Sequence, residues 1–130
     1  MEIKENRSFK DLEVWQVSTE LRREFEGFAK SLPKNELYRL ADQIIRASRS
    51  VTNNIAEGYG RFHFQENIQF CRQSRGSVYE LIDHLIIAND NSYISQEVFI
   101  QYESLCIRVI KLINGYIRYL GNQKLKAQTN

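Results

Sequence analysis

The sequence predicts an all-α protein, an antiparallel up-down-up-down four-helix bundle. The first reason is composition: the 130 residues are 42% hydrophobic and 26% charged, while one proline and six glycines are too few for a many-stranded β fold. The second is periodicity, because apolar residues recur at alternating spacings of four and three in four successive segments. That repeat is typical of helices packed at a shallow angle. We expect one domain, residues 1–130, without a linker or an internal repeat.

The first two helices have recognisable starts and ends. Ser8-Phe9-Lys10-Asp11 is a capping-box pattern before the first helix, and Pro33 disfavours a helical residue before it. Asn35 is expected to cap the second helix. Gly58 and Gly60 are expected to end it, because glycine tolerates a left-handed conformation. The two apolar seams consist of Val14, Ser18, Leu21, Phe25, Phe28 and Leu32, and of Leu37, Ala41, Ile44, Ser48, Val51 and Ile55.

The third and fourth helices are separated by a turn cluster at Asp90-Asn91-Ser92, after which Ser95 begins the fourth. Gly121 is expected to end the fourth helix, which leaves residues 122–130 as a flexible polar tail after an ordered core of about 8–121. Short connections of this kind make neighbouring helices antiparallel. The two seams consist of Phe64, Ile68, Cys71, Arg75, Val78, Ile82, Leu85 and Asn89, and of Val98, Tyr102, Leu105, Val109, Leu112, Tyr116 and Tyr119.

The apolar stripes of the second and fourth helices are wider than their seams. We expect the surplus to form a second buried surface between copies of the chain. The alternative is that the bundle core itself takes a wide stripe from each helix. The surplus residues are Leu40, Ile45, Ala47, Ile100, Ile107, Ile110 and Ile113.

Charge is segregated along the chain, although the formal net charge is only +2. Residues 76–103 carry five acidic and no basic side chains, whereas residues 104–130 carry five basic and no acidic ones. Such blocks attract a partner of opposite sign, either nucleic acid or another copy of the chain. The first five residues contain no apolar run and no segment has the composition of a membrane span, so we expect a cytoplasmic protein without a membrane partner.

Basic residues are the candidate functional groups. Three arginines share a face of the second helix and three cations share a face of the fourth, which Lys124 and Lys126 extend into the tail. Cations near aromatic residues such as Phe62 and Tyr119 suit phosphate contact and base stacking. The competing interpretation is solvated faces and ion pairs between subunits. The candidate nucleic-acid-binding residues are Arg39, Arg46, Arg49, Arg61, Arg72, Arg108, Lys111 and Arg118.

The residues that commonly carry catalysis or bind metals are not arranged for either role in this sequence. Cys71 and Cys106 lie on or beside apolar stripes and suit core thiols better than zinc ligands. His63 and His84 are not in a metal-ligand spacing. The glycines near residue 58 follow no predicted strand and precede no Lys-Ser/Thr pair, unlike a phosphate-binding loop. We therefore expect no enzymatic activity, no metal and no cofactor.

Three segments resemble a known family. They are residues 9–16 (FKDLEVWQ), 50–61 (SVTNNIAEGYGR) and 74–81 (SRGSVYEL). They are similar to the bacterial 23S rRNA intervening-sequence proteins, also called S23 ribosomal proteins, and Asn-Ile-Ala-Glu-Gly-x-Gly-Arg is the most specific motif. The likeness extends over about 9–120. The resemblance implies an up-down bundle that assembles into a homopentameric ring. A relative of the family, the accessory variability protein of diversity-generating retroelements, binds a reverse transcriptase and nucleic acid.

The motif residues also have a structural interpretation. Asn54 is expected to bond free carbonyls at the end of the second helix, and Gly76 to let a neighbouring helix approach. The guanidinium of Arg75 lies on an apolar seam and needs a partner, for which Glu57 and Glu80 are candidates. Glu57 is also placed to pair with Arg61. The residues to which we assign a structural role are Asn54, Glu57, Gly58, Gly60, Arg75 and Gly76.

The predicted function is that of a non-enzymatic, homo-oligomeric accessory protein that binds RNA or another nucleic acid through a basic surface. This chain has Ile45-Arg46 where family members often carry two arginines, so its predicted basic surface lacks one cation at that point. Arg49 supplies a cation nearby on the same helix. The alternative is a structural or scaffolding oligomer that docks another protein and has no nucleic-acid role. The expected partners are further copies of the chain, together with RNA, another nucleic acid or a protein.

Overall fold

A computed structural model describes residues 8–129, which form four long helices. Each helix packs against the next, and α1 also packs against α4, so that α1 lies diagonally opposite α3 and α2 lies diagonally opposite α4. The predicted all-α, up-down-up-down four-helix bundle is confirmed. The helices are α1 (Glu13–Lys30), α2 (Leu40–Tyr59), α3 (Phe64–Asp90) and α4 (Gln96–Thr129), with short 3-10 helices at Phe9–Asp11 and Lys34–Glu36.

The core runs along the bundle axis, where the predicted seams meet. Phe25 and Phe28 of α1 pack against the ring of Tyr102 on α4, with ring centroids 5.1 and 5.0 Å away. Two buried hydroxyl groups are satisfied by carbonyls: Ser48 Oγ donates to Ile45 O of its own helix, and Ser74 Oγ of α3 donates to Val51 O of α2 at 2.7 Å. The buried Ser18 Oγ on the α1 seam has no hydrogen-bond partner among the described residues. The predicted core thiols Cys71 and Cys106 are both fully buried, which confirms their assignment.

Most of the surplus apolar residues are used by the core of a single chain. Leu40, Ala47, Ile110 and Ile113 are buried, so the expectation that they form an intersubunit surface is wrong for these four. The physical reason is that each helix contacts two neighbours, and this requires a stripe wider than a two-helix seam. Ile45 is partly buried, whereas Ile100 and Ile107 remain exposed.

The start of α1 differs from the capping-box prediction. Ser8 Oγ accepts from Lys10 N at 3.2 Å, as a cap does, but the helix it opens is the short 3-10 helix rather than α1. The start of α2 differs as well, because a second 3-10 helix takes up the residues after Pro33. Asn35 therefore does not cap α2, which begins five residues later at Leu40. Leu37, assigned to the α2 seam, is exposed in this connection.

The turn between α2 and α3 is built differently from the left-handed glycine turn that the sequence predicts. Gly60 follows α2 with φ −76°, a right-handed conformation, and the positive φ falls on Phe62 at 63°. Gly58 is needed for close packing instead, because a Cβ there would lie 2.7 Å from Asn67 Oδ1. Gly76 was expected to let a neighbouring helix approach closely. A Cβ at Gly76 would meet nothing within 4 Å, so the expectation is wrong for the helices of a single chain.

The fourth helix begins as predicted and ends later than predicted. Ser95 Oγ accepts from Val98 N at 3.2 Å, as an N-cap does. Gly121 lies inside the helix, which continues to Thr129. A single interior glycine costs about 1 kcal/mol, and Lys124 Nζ, which donates to Gln65 Oε1 at 2.8 Å, ties this last part of α4 to α3. Asn130, the end of the predicted tail, lies outside the described residues.

Within residues 8–129, no helix is both long enough and apolar enough to cross a bilayer.

Candidate nucleic-acid interface

Two of the predicted basic residues on α2 are paired with carboxylates of the same chain. Arg46 Nε lies 3.0 Å from Asp42 Oδ2, one helical turn away. Arg49 Nε lies 2.8 Å from Glu26 Oε2 on α1, which links the two helices. Exposed pairs of this kind contribute about 0–1 kcal/mol each. They lower the local positive potential, so this face attracts phosphate less than its arginine count suggests.

Two further candidates are paired more loosely. Arg61 Nη2 lies 3.3 Å from Glu57 Oε2, which confirms that predicted pair, and its guanidinium lies 5.0 Å from the centre of the Phe70 ring. Arg108 Nη1 lies 3.8 Å from Glu20 Oε2 of α1, at the limit of an ion pair. The remaining candidates are exposed and make no ion pair with any residue that the structure describes: Arg39, Arg72, Lys111 and Arg118.

The eight candidates do not share one surface of a single chain. Arg39, Arg46 and Arg49 belong to α2 or its start, whereas Arg108, Lys111 and Arg118 belong to α4. Because α2 and α4 are diagonal neighbours, their outer faces lie on opposite sides of the bundle. The structure therefore separates an α2 group, in which Arg46 and Arg49 pair with carboxylates, from an α4 group, in which Arg108 alone does so among the described residues.

The part of α4 that follows Glu103 carries the largest excess of positive charge along the described chain. Its basic side chains include Lys124 and Lys126, which the sequence interpretation placed in a flexible tail because Gly121 was expected to end the helix. Along the helix from residue 104 to residue 129 there is no acidic side chain. We call this segment the α4 basic segment; its cations are Arg108, Lys111, Arg118, Lys124 and Lys126.

An aromatic pair lies within the α4 basic segment. The rings of Tyr116 and Tyr119 are stacked, with centroids 6.2 Å apart and planes 11° apart. Tyr116 is anchored, because its hydroxyl accepts from Asn67 Nδ2 at 3.3 Å, and burial raises its pKa to about 12. The Tyr119 ring is exposed, and the exposed Arg118 precedes it in the chain. An exposed ring next to a cation can bind a base and a phosphate of the same strand.

Two motif residues have partners different from those predicted. Arg75 Nη1 donates to Asn114 Oδ1 at 2.7 Å, rather than to Glu57 or Glu80, because α4 presents an amide at this level of α3. Asn54 Nδ2 donates to Ser50 O at 2.8 Å, one turn back within α2, rather than to carbonyls at the helix end. Side chains of a helix lean toward its N-terminus, which explains this direction.

The buried reactive groups do not form a catalytic arrangement in the described part of the chain. Burial raises the pKa of the Cys71 and Cys106 thiols to about 12, which disfavours the nucleophilic thiolate. His84 is buried with Nε2 3.1 Å from Glu80 Oε2, and its Nδ1 has no hydrogen-bond partner in the structure. Among residues 8–129, histidine, cysteine and acidic side chains form no group that could hold a metal ion.

Comparisons with known proteins agree with the fold. The sequence model of a family described as 23S rRNA-intervening sequence protein matches residues 10–115. A solved structure of a protein with unknown function, from the S23 ribosomal protein family of Bacteroides thetaiotaomicron, superposes with a TM-score of 0.75. The two sequences are 20% identical, and the match covers 81% of this chain and 95% of the other. A comparison with the curated proteins found no match.

Proposed function

The chain belongs to the family of 23S rRNA-intervening sequence proteins, and from this premise we propose that it is a non-enzymatic, self-associating cytoplasmic protein that binds RNA through the α4 basic segment. The observation that carries the proposal is the charge of that segment. Residues 104–129 contain no acidic side chain, and Arg108 alone among the five cations makes an ion pair within residues 8–129. RNA is the polyanion that the family's name suggests.

The energetics of RNA binding favour unpaired cations. A cation that approaches a phosphate releases condensed counterions, and this release supplies most of the non-specific affinity. Arg46 and Arg49 would first have to leave Asp42 and Glu26, so they gain less from the same contact. Lys111 and Arg118 are seven residues apart on one face of α4, about 10 Å along the helix axis, and lose no ion pair of the described residues on binding.

Self-association is supported by an apolar strip along the groove between α3 and α4. The Arg75–Asn114 hydrogen bond shows which residues of the antiparallel helices α3 and α4 lie opposite each other. Seven residues, or about two turns, closer to the α3–α4 connection, Ile82 of α3 therefore lies opposite Ile107 of α4. Exposed apolar residues of both helices lie around that level. Single exposed apolar residues are ordinary, but a group of them on two adjoining helices is typical of an interface. We call this set the α3–α4 strip; its members are 42–56% exposed and are Tyr79, Ile86, Ile100 and Ile107.

Fluorescence anisotropy with a labelled structured RNA, between about 50 and 200 mM salt, tests the RNA-binding proposal. The double variant Lys111→Glu/Arg118→Glu is expected to weaken binding at all salt concentrations and to reduce the slope of log K against log salt by about two. The matched control is Lys30→Glu/Lys34→Glu, which changes the charge equally at the opposite end of the bundle. The control is expected to keep most of the wild-type affinity.

Two results would contradict the proposal in different ways. Equal losses in the two double variants would mean that net charge, rather than the α4 basic segment, determines binding. A wild-type chain that binds no RNA at about 50 mM salt would reject RNA binding altogether. That second result would favour the alternative, a structural oligomer that docks another protein.

A further inference from the structure

The side chain of Phe62 is 93% exposed, which makes it the most exposed large hydrophobic residue that the structure describes. Its backbone has φ 63°, in the left-handed region that glycine or asparagine normally occupies. A bulky residue there is sterically strained. Neither feature favours folding, because the ring is in water and the backbone is strained. Strained residues of this kind are concentrated at functional sites.

The turn that carries Phe62 is fixed by its neighbours. α2 and α3 approach so closely before the turn that a Cβ at Gly58 would lie 2.7 Å from Asn67 Oδ1. Arg61 N donates to Gly58 O at 3.1 Å, and His63 follows Phe62 with an extended backbone at φ −121°. The backbone that carries the ring is therefore fixed at the end of the bundle by a short, hydrogen-bonded turn, and little backbone ordering is required when the ring contacts a ligand.

Arg61 and Lys124 lie at the same end of the bundle as Phe62. The Arg61 guanidinium is positioned by Glu57 and by the face of the Phe70 ring, and its side chain stays 46% exposed. Lys124 Nζ donates to Gln65 Oε1 at 2.8 Å, so the end of the α4 basic segment lies against the first turn of α3. Gln65 is three residues after Phe62 in the chain. An exposed ring thus lies at the same end of the bundle as the most C-terminal cations of α4.

We infer that Phe62 is a stacking platform for an unpaired RNA base whose flanking phosphates contact Arg61 and Lys124. This inference rests on the proposed function and adds the ligand class: a single-stranded loop or end rather than a continuous duplex. Base stacking on an aromatic side chain tolerates any sequence because every base has a flat face. The bases of an A-form duplex are stacked on one another and cannot reach such a ring.

The test compares two RNA probes, oligoadenylate and a fully paired duplex of the same length, by anisotropy at constant salt. Phe62→Ala is expected to weaken oligoadenylate binding by about 5- to 100-fold and to leave duplex binding within about twofold of wild type. Phe62→Trp is expected to keep the wild-type affinity for both. The matched control is Tyr38→Ala, because Tyr38 is 88% exposed at the opposite end of α2 and its substitution should change neither affinity.

Each remaining outcome overturns the inference. If Phe62→Ala binds both probes like wild type, stacking is rejected while the proposed function stands; if wild type binds neither probe, both are rejected. A similar loss with Tyr38→Ala, or an equal loss for the duplex, would show that the effect is not stacking at this turn. Loss of assembly mass in Phe62→Ala would assign the ring to a subunit interface.

The variant Phe62→Gly separates binding from folding, because glycine removes the ring and adopts the positive φ without strain. It should melt at or above the wild-type temperature and still lose oligoadenylate affinity.

Discussion

At the residue scale, two helical glycines, one at the end of α2 and one in the middle of α3, have opposite surroundings. A Cβ at Gly58 would lie 2.9 Å from Phe70 Cβ as well as close to Asn67, whereas one at Gly76 would lie in open space. Gly58→Ala is therefore expected to lower the free energy of unfolding by about 1–3 kcal/mol through overpacking. Gly76→Ala should raise it by about 0.5–1 kcal/mol, because alanine loses less backbone entropy on forming a helix.

Urea unfolding followed by circular dichroism measures both glycine variants under the same conditions. The matched pair removes the general effect of replacing glycine in a helix. A destabilised Gly76→Ala would show that a partner, such as another subunit, packs against that exposed position. An unaffected Gly58→Ala would show that the contact between α2 and α3 relaxes easily.

The buried thiols predict how stability depends on alkaline pH. Burial raises the pKa of Cys71 and Cys106 from 9.0 to about 12, so both thiols keep their protons in the folded chain at a pH where the unfolded chain has lost them. The folded state then binds more protons, and the free energy of unfolding falls as pH rises above about 9. Melting temperatures at stepwise higher pH measure this. The variant Cys71→Ala/Cys106→Ala should show a shallower decline, and an equal decline would assign the effect to other groups.

At the element scale, α3 and α4 are joined by a charged hydrogen bond that crosses the groove between them. Arg75 is partly buried and donates to Asn114 Oδ1 at 2.7 Å. Asn114→Ala leaves the guanidinium without this acceptor and is expected to lower the free energy of unfolding by about 1–3 kcal/mol. Asp42→Ala, which removes the exposed partner of Arg46, should cost no more than about 0.5 kcal/mol.

A double-mutant cycle checks the Arg75–Asn114 contribution. Arg75→Met with Asn114→Ala should be less destabilising than the sum of the two single changes, because each single change already removes the shared bond. Additive effects would mean that the two side chains act independently. The readout is the free energy of unfolding in urea.

The helices themselves could be predicted from the sequence because heptad spacing directly records which residues are buried. Ile44, Val51 and Ile55 were assigned to a seam and are fully buried. Helix ends were harder, since a local signal competes with tertiary contacts that the sequence does not display. Gly121 has the residue type of a helix end, yet α4 continues past it beside α3, where Lys124 contacts Gln65.

The candidate site could be predicted only in part, because ion pairing depends on residues far apart in the chain. Arg49 pairs with Glu26 across 23 residues, so its neutralisation cannot be found by local spacing. Lys111 and Arg118 share a helical face that spacing alone identified. The exposure and positive φ of Phe62 are set by the packing of the α2–α3 turn, which the residue type does not indicate.

At the scale of the whole molecule, the charge blocks and the apolar strip lie on adjoining helices. The acidic residues of 76–103 are mainly on α3 and the start of α4, and the α4 basic segment follows directly. A second copy placed against the α3–α4 strip could therefore pair acidic with basic residues at the rim of an apolar contact. Both charge and apolar area favour association between copies of this chain.

The α3–α4 strip predicts the effect of charged substitutions on the assembly. Ile86→Glu/Ile107→Glu places two carboxylates in the proposed contact, where burial without a partner is costly. Because both side chains are exposed in the single chain, the variant should keep the wild-type helix content by circular dichroism. Light scattering after gel filtration is expected to give the 15.4 kDa mass of one chain for the variant and a multiple of it for wild type, five-fold for a pentamer.

The control for the assembly measurement is Leu37→Glu, because Leu37 is 55% exposed but lies in the α1–α2 connection, outside the strip. It should keep the wild-type mass. A dissociated Ile86→Glu/Ile107→Glu chain retains Lys111 and Arg118, so it should still bind RNA. Its binding should be weaker for two reasons: single chains lose the avidity of several linked sites, and a carboxylate at position 107 lies one turn from Lys111. An unchanged mass in that variant would place the subunit contact elsewhere. Unchanged RNA affinity at a reduced mass would show that one chain carries a complete binding surface.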